Sequence, residues 1–241
     1  MKRNYNKEAK DLKDRKYHYD FDGVLRHYMM QDFAPFLPKG KALELGCYMG
    51  EFTEIISGKY KDLTVIEASD ENITAADKRT KGKVKFINST FEEVKLKEKF
   101  DAIFLIHTLE HLDNPVEVLA RAKTWLSPKG RLFLAVPNAN AASRQIAVKM
   151  GLISHNSAVT EGERIHGHRI TYEFKTLERD VKKAKLKIKK RGGVFFKPFA
   201  NFQFDKLMKT DIIDKAYLDG CHKLGKEYPD LSASIYFICS K

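Results

Sequence analysis

The sequence predicts an α/β fold: an open, mostly parallel sheet with helices on both faces. Two observations carry this reading. Between residues 39 and 137, short apolar runs bounded by turn residues alternate with helical patterns. Strand, helix and strand at that spacing imply crossover connections and parallel pairing. The runs are also nearly continuous in apolar residues, as in FDAIFLIH at 100–107, and strands covered by helices on both faces have no need of polar alternation. With 241 residues, 43% hydrophobic and 11% aromatic, the chain can bury the core of one such domain.

In chain order, residues 1–20 are polar, of mixed charge, and read as a loose or helical arm. Apolar groups at helical intervals over 21–37 predict a helix that stops at Pro38-Lys39-Gly40. Strands follow at 41–45, 62–68, 83–88, 100–107 and 130–137. Helices fall at 50–58, at 70–79 with Asp70 as N-cap, and at 114–124 with Pro115 in the first turn. Residues 138–170 break the pattern, being polar and rich in Asn, Ser and His, and read as an insertion or lid over the carboxyl edge of the sheet. A helix at 171–184, a strand at 186–192 and a strand at 232–240 complete the chain, the two strands pairing antiparallel across a long intervening segment. The whole reads as one domain: arm 1–38, core 39–137, lid 138–170, and a part at 171–241 in which 193–230 caps a substrate pocket.

There are 44 Lys and Arg against 32 Asp and Glu, a formal charge of +12. That balance permits nucleic acid, an anionic membrane surface or an anionic small molecule as partner. Part of it has a simpler origin. In KKAKLKIKKR (182–191), lysines alternate with Leu186 and Ile188, as on a solvent-facing strand near a sheet edge, where lysine discourages edge-to-edge association. The three cysteines are far apart in sequence, which argues against a disulfide framework or structural zinc and fits a reducing cytoplasm. The first 20 residues contain no apolar h-region, and no stretch approaches the roughly 20 apolar residues that span a bilayer. The expectation is a cytoplasmic protein.

Chemistry concentrates in ALELGCYMGEFTEII (42–56): strand, glycine turn, helix. Gly46 follows the strand directly and Gly50 opens the helix; glycine admits positive φ and close approach of a ligand to the backbone, and the helix behind offers unpaired N–H groups. The GxxxG spacing is neither the GxGxxG of dinucleotide sites nor a P-loop. Glu67, about 20 residues after the turn, ends the second strand, where a carboxylate can accept both hydroxyls of a ribose.

With NSTFEEV (88–94), FDAIFLIHTLEHLDNP (100–115) and LSPKGRLFLAVPN (126–138), these segments resemble, in order over residues 40–192, the class I S-adenosylmethionine-dependent methyltransferases. The likeness is greatest to the bacterial small-molecule branch that includes the ubiquinone-pathway O-methyltransferases. One departure is Tyr48, where members usually have a middle glycine. The resemblance implies a Rossmann-like, seven-stranded, mostly parallel sheet whose last strand is antiparallel. It also implies S-adenosyl-L-methionine as cofactor and S-adenosyl-L-homocysteine as product. Gly46, Cys47, Tyr48 and Gly50 would line the methionine and ribose part of the site, with Glu44 orienting the loop. Glu67 would hold the ribose, and Ala68, Ser89, Thr90 and Phe91 the adenine. His107 and Thr108 would lie beside the sulfonium.

Methyl transfer to oxygen requires removal of a proton, for which histidine is the usual choice. His107 and His111 are the first candidates; His166 and His168, in GERIHGHRITYEF (162–174), are the next. Arg164 and Arg169 would clamp a phosphate or carboxylate. Phe195 and Phe196 would belong to the substrate cap. His107, Glu110 and His111 form a short cluster, but histidine is a poor magnesium ligand and zinc favours a tetrahedral set, so no metal is expected. The function read from the sequence is methyl transfer to an oxygen of a small, anionic acceptor, a sugar or similar metabolite. Two rivals stand: an RNA methyltransferase, motivated by the charge, and a non-catalytic cofactor-binding scaffold, motivated by Tyr48. No oligomeric state is legible.

Overall fold

The computed structural model describes residues 5–6 and 19–241. Most of the predicted arm, residues 1–4 and 7–18, lies outside them. Seven strands form one sheet in the order β3-β2-β1-β4-β5-β7-β6. The strands are β1 (Ala42–Leu45), β2 (Leu63–Glu67), β3 (Lys85–Asn88), β4 (Phe100–Ile106), β5 (Leu126–Pro137), β6 (Lys187–Phe196) and β7 (Ser232–Ser240). β7 lies antiparallel to both β5 and β6, and the other pairings are parallel. The sheet is the predicted one, including its antiparallel last strand.

Alternate residues of the central strands point to opposite faces, and each face carries its own core. Ala102, Phe104 and Ile106 of β4 join Phe33, Phe52 and Phe133 on one side. Ile103 and Leu105 join Leu119, Trp125, Leu177 and Phe237 on the other. The first core is covered by α1 (Asp20–Phe33), α2 (Glu51–Ser57) and, further along, α8 (Asn201–Leu207) and α9 (Lys215–Glu227). The second is covered by α4 (Pro115–Trp125) and α7 (Phe174–Lys183). Among residues 19–241, the other α-helices are α3 (Asp70–Thr80), α5 (Ala142–Lys149) and α6 (Glu161–Ile165). The lysine-rich β6 is an edge strand, as its alternation suggests, with Lys187, Lys189 and Lys190 exposed.

Several boundaries differ from the sequence reading: the strand read at 83–88 starts at Lys85, the helix read at 171–184 starts at Phe174, and three further differences have a clear cause. The N-cap of α3 is Ser69, whose Oγ accepts from Asn72 N at 3.3 Å, whereas Asp70 Oδ1 instead accepts from Asn88 Nδ2 at 2.6 Å. β5 begins four residues early because Leu126 already pairs with Phe100, with an irregularity before Ala102. β6 runs on through Gly192 and Gly193 to Phe196. There the glycines are packing residues: a Cβ on Gly192 would fall 2.5 Å from the Tyr236 ring. The predicted lid at 138–170 contains α5 and α6 and starts from Asn138, whose Nδ2 donates to the carbonyls of Asp230 and Ser232.

Candidate active site

Strand order reverses between β1 and β4, and ligands of open α/β sheets bind outside the carboxyl ends of the strands at such a point. A cavity of about 770 Å³ opens there, within the range of small-molecule sites. It is large enough for a nucleoside cofactor and a small second reactant together.

The turn after β1 is shaped by close approach. Gly46 has φ +78°, and a Cβ there would meet Thr108 Cγ2 at 2.9 Å. Gly50, the N-cap of α2 at φ +84°, is pressed against Ala76, 2.7 Å from where its Cβ would be. Tyr48 holds φ +49° without being glycine, a conformation that costs about 1–2 kcal/mol, and its side chain lines the cavity. Glu67, 9% exposed, ties this turn to β2. Its Oε2 accepts from Cys47 N at 3.1 Å and Tyr48 N at 3.3 Å, and its Oε1 from Ser69 N at 3.0 Å. The glycine turn and the acid therefore share one crevice, as the sequence reading required.

Of the other predicted cofactor contacts, Glu44, Cys47, Ala68, Thr90, Phe91, His107 and Thr108 line the cavity. Gly50 acts from behind, as the helix cap. Ser89 is not on the wall: its N–H donates to Glu67 O at 3.1 Å and so joins β3 to β2. Glu44 is buried, its Oε2 has no hydrogen-bond partner, and burial raises its pKa to about 8. Sequence reading missed Arg26 of α1, which reaches this end of the cavity with Nη1 buried and unpartnered. The signal was a cation directly after the buried Leu25, one helical turn on from Asp22.

His107, His111, His166 and His168 all line the cavity. His107, at φ +48°, holds Ser234 Oγ with Nε2 at 2.8 Å. Burial, with the charges of Arg26, His168 and Lys197 close by, lowers its pKa to about 3, so the imidazole is neutral at pH 7. His111 and His168 stand edge to face with centroids 4.5 Å apart. Glu110 lies beneath them, 1% exposed, with neither carboxyl oxygen hydrogen-bonded and with its pKa pushed up to about 8 by burial. Glu110, His111 and His168 place ligand atoms within 4.8 Å of one another. The fold thus puts His168 where the sequence cluster had His107. One carboxylate and two imidazoles suit a transition ion better than magnesium.

Four substrate residues are placed elsewhere. Phe195 is fully buried in the core, against Phe21 at 5.2 Å, Tyr28 at 5.7 Å and Phe204 at 5.8 Å. Phe196 ends β6 away from the cavity lining. Arg169 pairs with Asp113 at 2.5 Å outside the cavity, and Arg164 is likewise absent from its wall. The extension of β6 explains the phenylalanines: residues read as a loop cap are strand. The lid instead contributes Ser143 and Arg144, and the segment after β6 contributes Lys197, Asn201 and Phe202.

A seven-stranded sheet of this order, with the acid of the second strand clasping the turn of the first, is the fold of the class I S-adenosylmethionine-dependent methyltransferases. The chain belongs to the methyltransferase-domain family, whose match covers residues 17–203. It is 30% identical over 129 residues to the ubiquinone biosynthesis O-methyltransferase of Photobacterium profundum, covering 52% of this chain and 55% of that protein. To the corresponding protein of Hydrogenovibrio crunogenus it is 25% identical over 185 residues, 73% of this chain and 72% of the relative. The chain spans about half the length of several of the curated relatives it matches. Among solved structures, a methyltransferase from Thermotoga maritima described as a possible histamine N-methyltransferase superposes with a TM-score of 0.64 at 20% identity, covering 92% of each chain. The N-methyltransferase NodS of Bradyrhizobium japonicum, in complex with S-adenosylhomocysteine, gives 0.58 at 16% identity, covering 92% of this chain and 88% of that one. At these identities the structural likeness shows the fold. Among the described residues, no helix is long and apolar enough to cross a membrane.

Proposed function

We propose that this chain binds S-adenosyl-L-methionine at the glycine turn and transfers its methyl group to an oxygen of a small polar metabolite, a sugar or similar. The observation that carries the reading is the bonding of Glu67 Oε2 to Cys47 N and Tyr48 N. It holds a carboxylate against the turn on one cavity wall, which supports a ribose-binding role for the acid. Ala68, Thr90 and Phe91 form the adenine side. The buried, unpartnered Arg26 Nη1 supplies the countercharge for an amino-acid carboxylate, and Glu44 faces the amino group.

The cofactor brings an activated methyl group, so the protein's part is alignment, exclusion of water and removal of a proton. His107 is held by Ser234 and orients the acceptor hydroxyl as a neutral hydrogen-bonding group. The proton passes to the His111–His168 pair, with Glu110 beside it. Curated relatives are named for O-methylation, which supports an oxygen acceptor. Calorimetry with S-adenosylhomocysteine tests the reading. Binding in the micromolar range is expected, and no binding by a folded sample rejects it.

A further inference from the structure

The arginines read from the sequence as the anion clamp do not reach the cavity. Three other cations do: Arg26 at the cofactor end, and Arg144 and Lys197. Arg144 is already engaged: Nη1 and Nη2 face Glu163 at 2.6 and 3.3 Å, and its remaining donors point to the carbonyls of Asn156 and Ala158. Its charge is paired with Glu163 and four of its five donors are used.

Lys197 differs. It follows β6 and lines the cavity on the His107 side, near enough for its charge to depress that histidine. Among the described residues, the hydrogen-bond partner of Nζ is Asn201 Oδ1 at 2.5 Å, a neutral amide. Asn201 Nδ2 in turn donates to Asp22 Oδ1 at 2.8 Å. The nearest carboxylate in this chain of bonds is one amide away. An ammonium has three donors, so two remain for whatever occupies the cavity. The backbone is fixed as well: Lys197 O accepts from Ser143 N at 2.9 Å, joining it to the first turn of α5. Burial lowers the amine to about 8, with the charge of Asp22 opposing the shift, Arg144 adding to it and Glu163 opposing it. Neither carboxylate is hydrogen-bonded to Nζ, and a buried ammonium is costly unless an anion meets it.

We propose that the acceptor carries an anionic oxygen group, a carboxylate or a phosphate, and that Lys197 Nζ docks it with the amine oriented through Asn201 and Asp22. The inference rests on the proposed methyl-transfer reading, because it takes the Lys197 side of the cavity as the acceptor's. It names the chemical class of acceptor and a specificity-determining residue. The anion would lie on the wall shared by His107 and Ser234, close to the hydroxyl that receives the methyl group.

The test titrates the protein, both apo and saturated with S-adenosylhomocysteine, with inorganic phosphate, benzoate and, as neutral control, benzyl alcohol. Wild type is expected to bind one of the two anions at least tenfold more tightly than the control, and which one it binds distinguishes the two sources. Lys197→Met is expected to lose that preference while its S-adenosylhomocysteine affinity stays within twofold, and Lys197→Arg to retain it. If Lys197→Met does not fold, Asn201→Ala is expected to weaken anion binding at least threefold with cofactor affinity unchanged. Equal anion affinity in wild type and the folded variants, or no anion preference in wild type, overturns the proposal. Failure of wild type to bind S-adenosylhomocysteine overturns the methyltransferase reading instead, while the apo titration still decides on Lys197.

Discussion

Replacing Glu67 by Gln keeps the shape of the side chain and removes its charge. In the wild type, both carboxylate oxygens accept from backbone N–H groups, of Cys47 and Tyr48 on one and Ser69 on the other. A carboxylate has about four acceptor sites; the backbone takes three here, so a ribose hydroxyl would use the one that remains or share a site with the turn. An amide offers one acceptor oxygen, so the variant must give up bonds to the ribose or to the turn. A hydrogen bond to a charged group is worth about 1.5–3 kcal/mol, which corresponds to a loss of affinity of roughly 10- to 150-fold. Titration calorimetry with S-adenosylhomocysteine measures it, with circular dichroism to establish that the variant is folded. Glu67→Ala should lose at least as much. A change of less than threefold in a folded Glu67→Gln variant would refute the role assigned to the acid and with it the cofactor site.

Further outcomes follow from the same geometry. Gly46→Ala forces a Cβ to 2.9 Å from Thr108 at φ +78°, and is expected to cost about 1–3 kcal/mol in stability and to abolish cofactor binding, both read by thermal unfolding with and without ligand. His107 titrates near 6.5 when unfolded but near 3 in the fold. The unfolded chain therefore takes up the proton first on acidification, and the stability His107 contributes, complete above about 6.5, drains as pH falls towards 3. The slope is up to ~1.4 kcal/mol per pH unit, and His107→Asn should flatten it in urea unfolding. Phe195→Ala should cost about 3–5 kcal/mol as a core truncation, with cofactor affinity of the folded protein unchanged; a selective loss of acceptor binding at full stability would restore the substrate-cap reading. Arg169→Ala, which removes an exposed ion pair with Asp113, should change stability by no more than about 1 kcal/mol and leave cofactor binding intact.

The parallel sheet was legible because each of its strands is a local event. Leu43 and Leu45, or Ile103 and Leu105, are apolar at consecutive turns of the pleat whatever lies around them. The glycine turn was legible because Gly46 must adopt a conformation its neighbours in sequence already signal. Boundaries were less so. Gly192 and Gly193 look like a strand end along the chain, but they admit the Tyr236 ring and Ser232 from β7, and that partner is some 40 residues away. The error at Phe195 came with it, since extending the strand turns a presumed cap residue into core, and Phe196 becomes the end of the strand.

By itself, then, the sequence determined the sheet, its switch point, and the pairing of a glycine turn with an acid, because hydrophobic period and backbone freedom are properties of short segments. Tertiary structure alone decided which charges face the cavity. Arg164 and Arg169 are cationic side chains like Arg26 and Lys197, and nothing within each segment separates them. The separation arises where α1, the lid and the end of β6 converge on the carboxyl ends of β1 and β4, since burial and counter-ions there are set by residues distant in the chain.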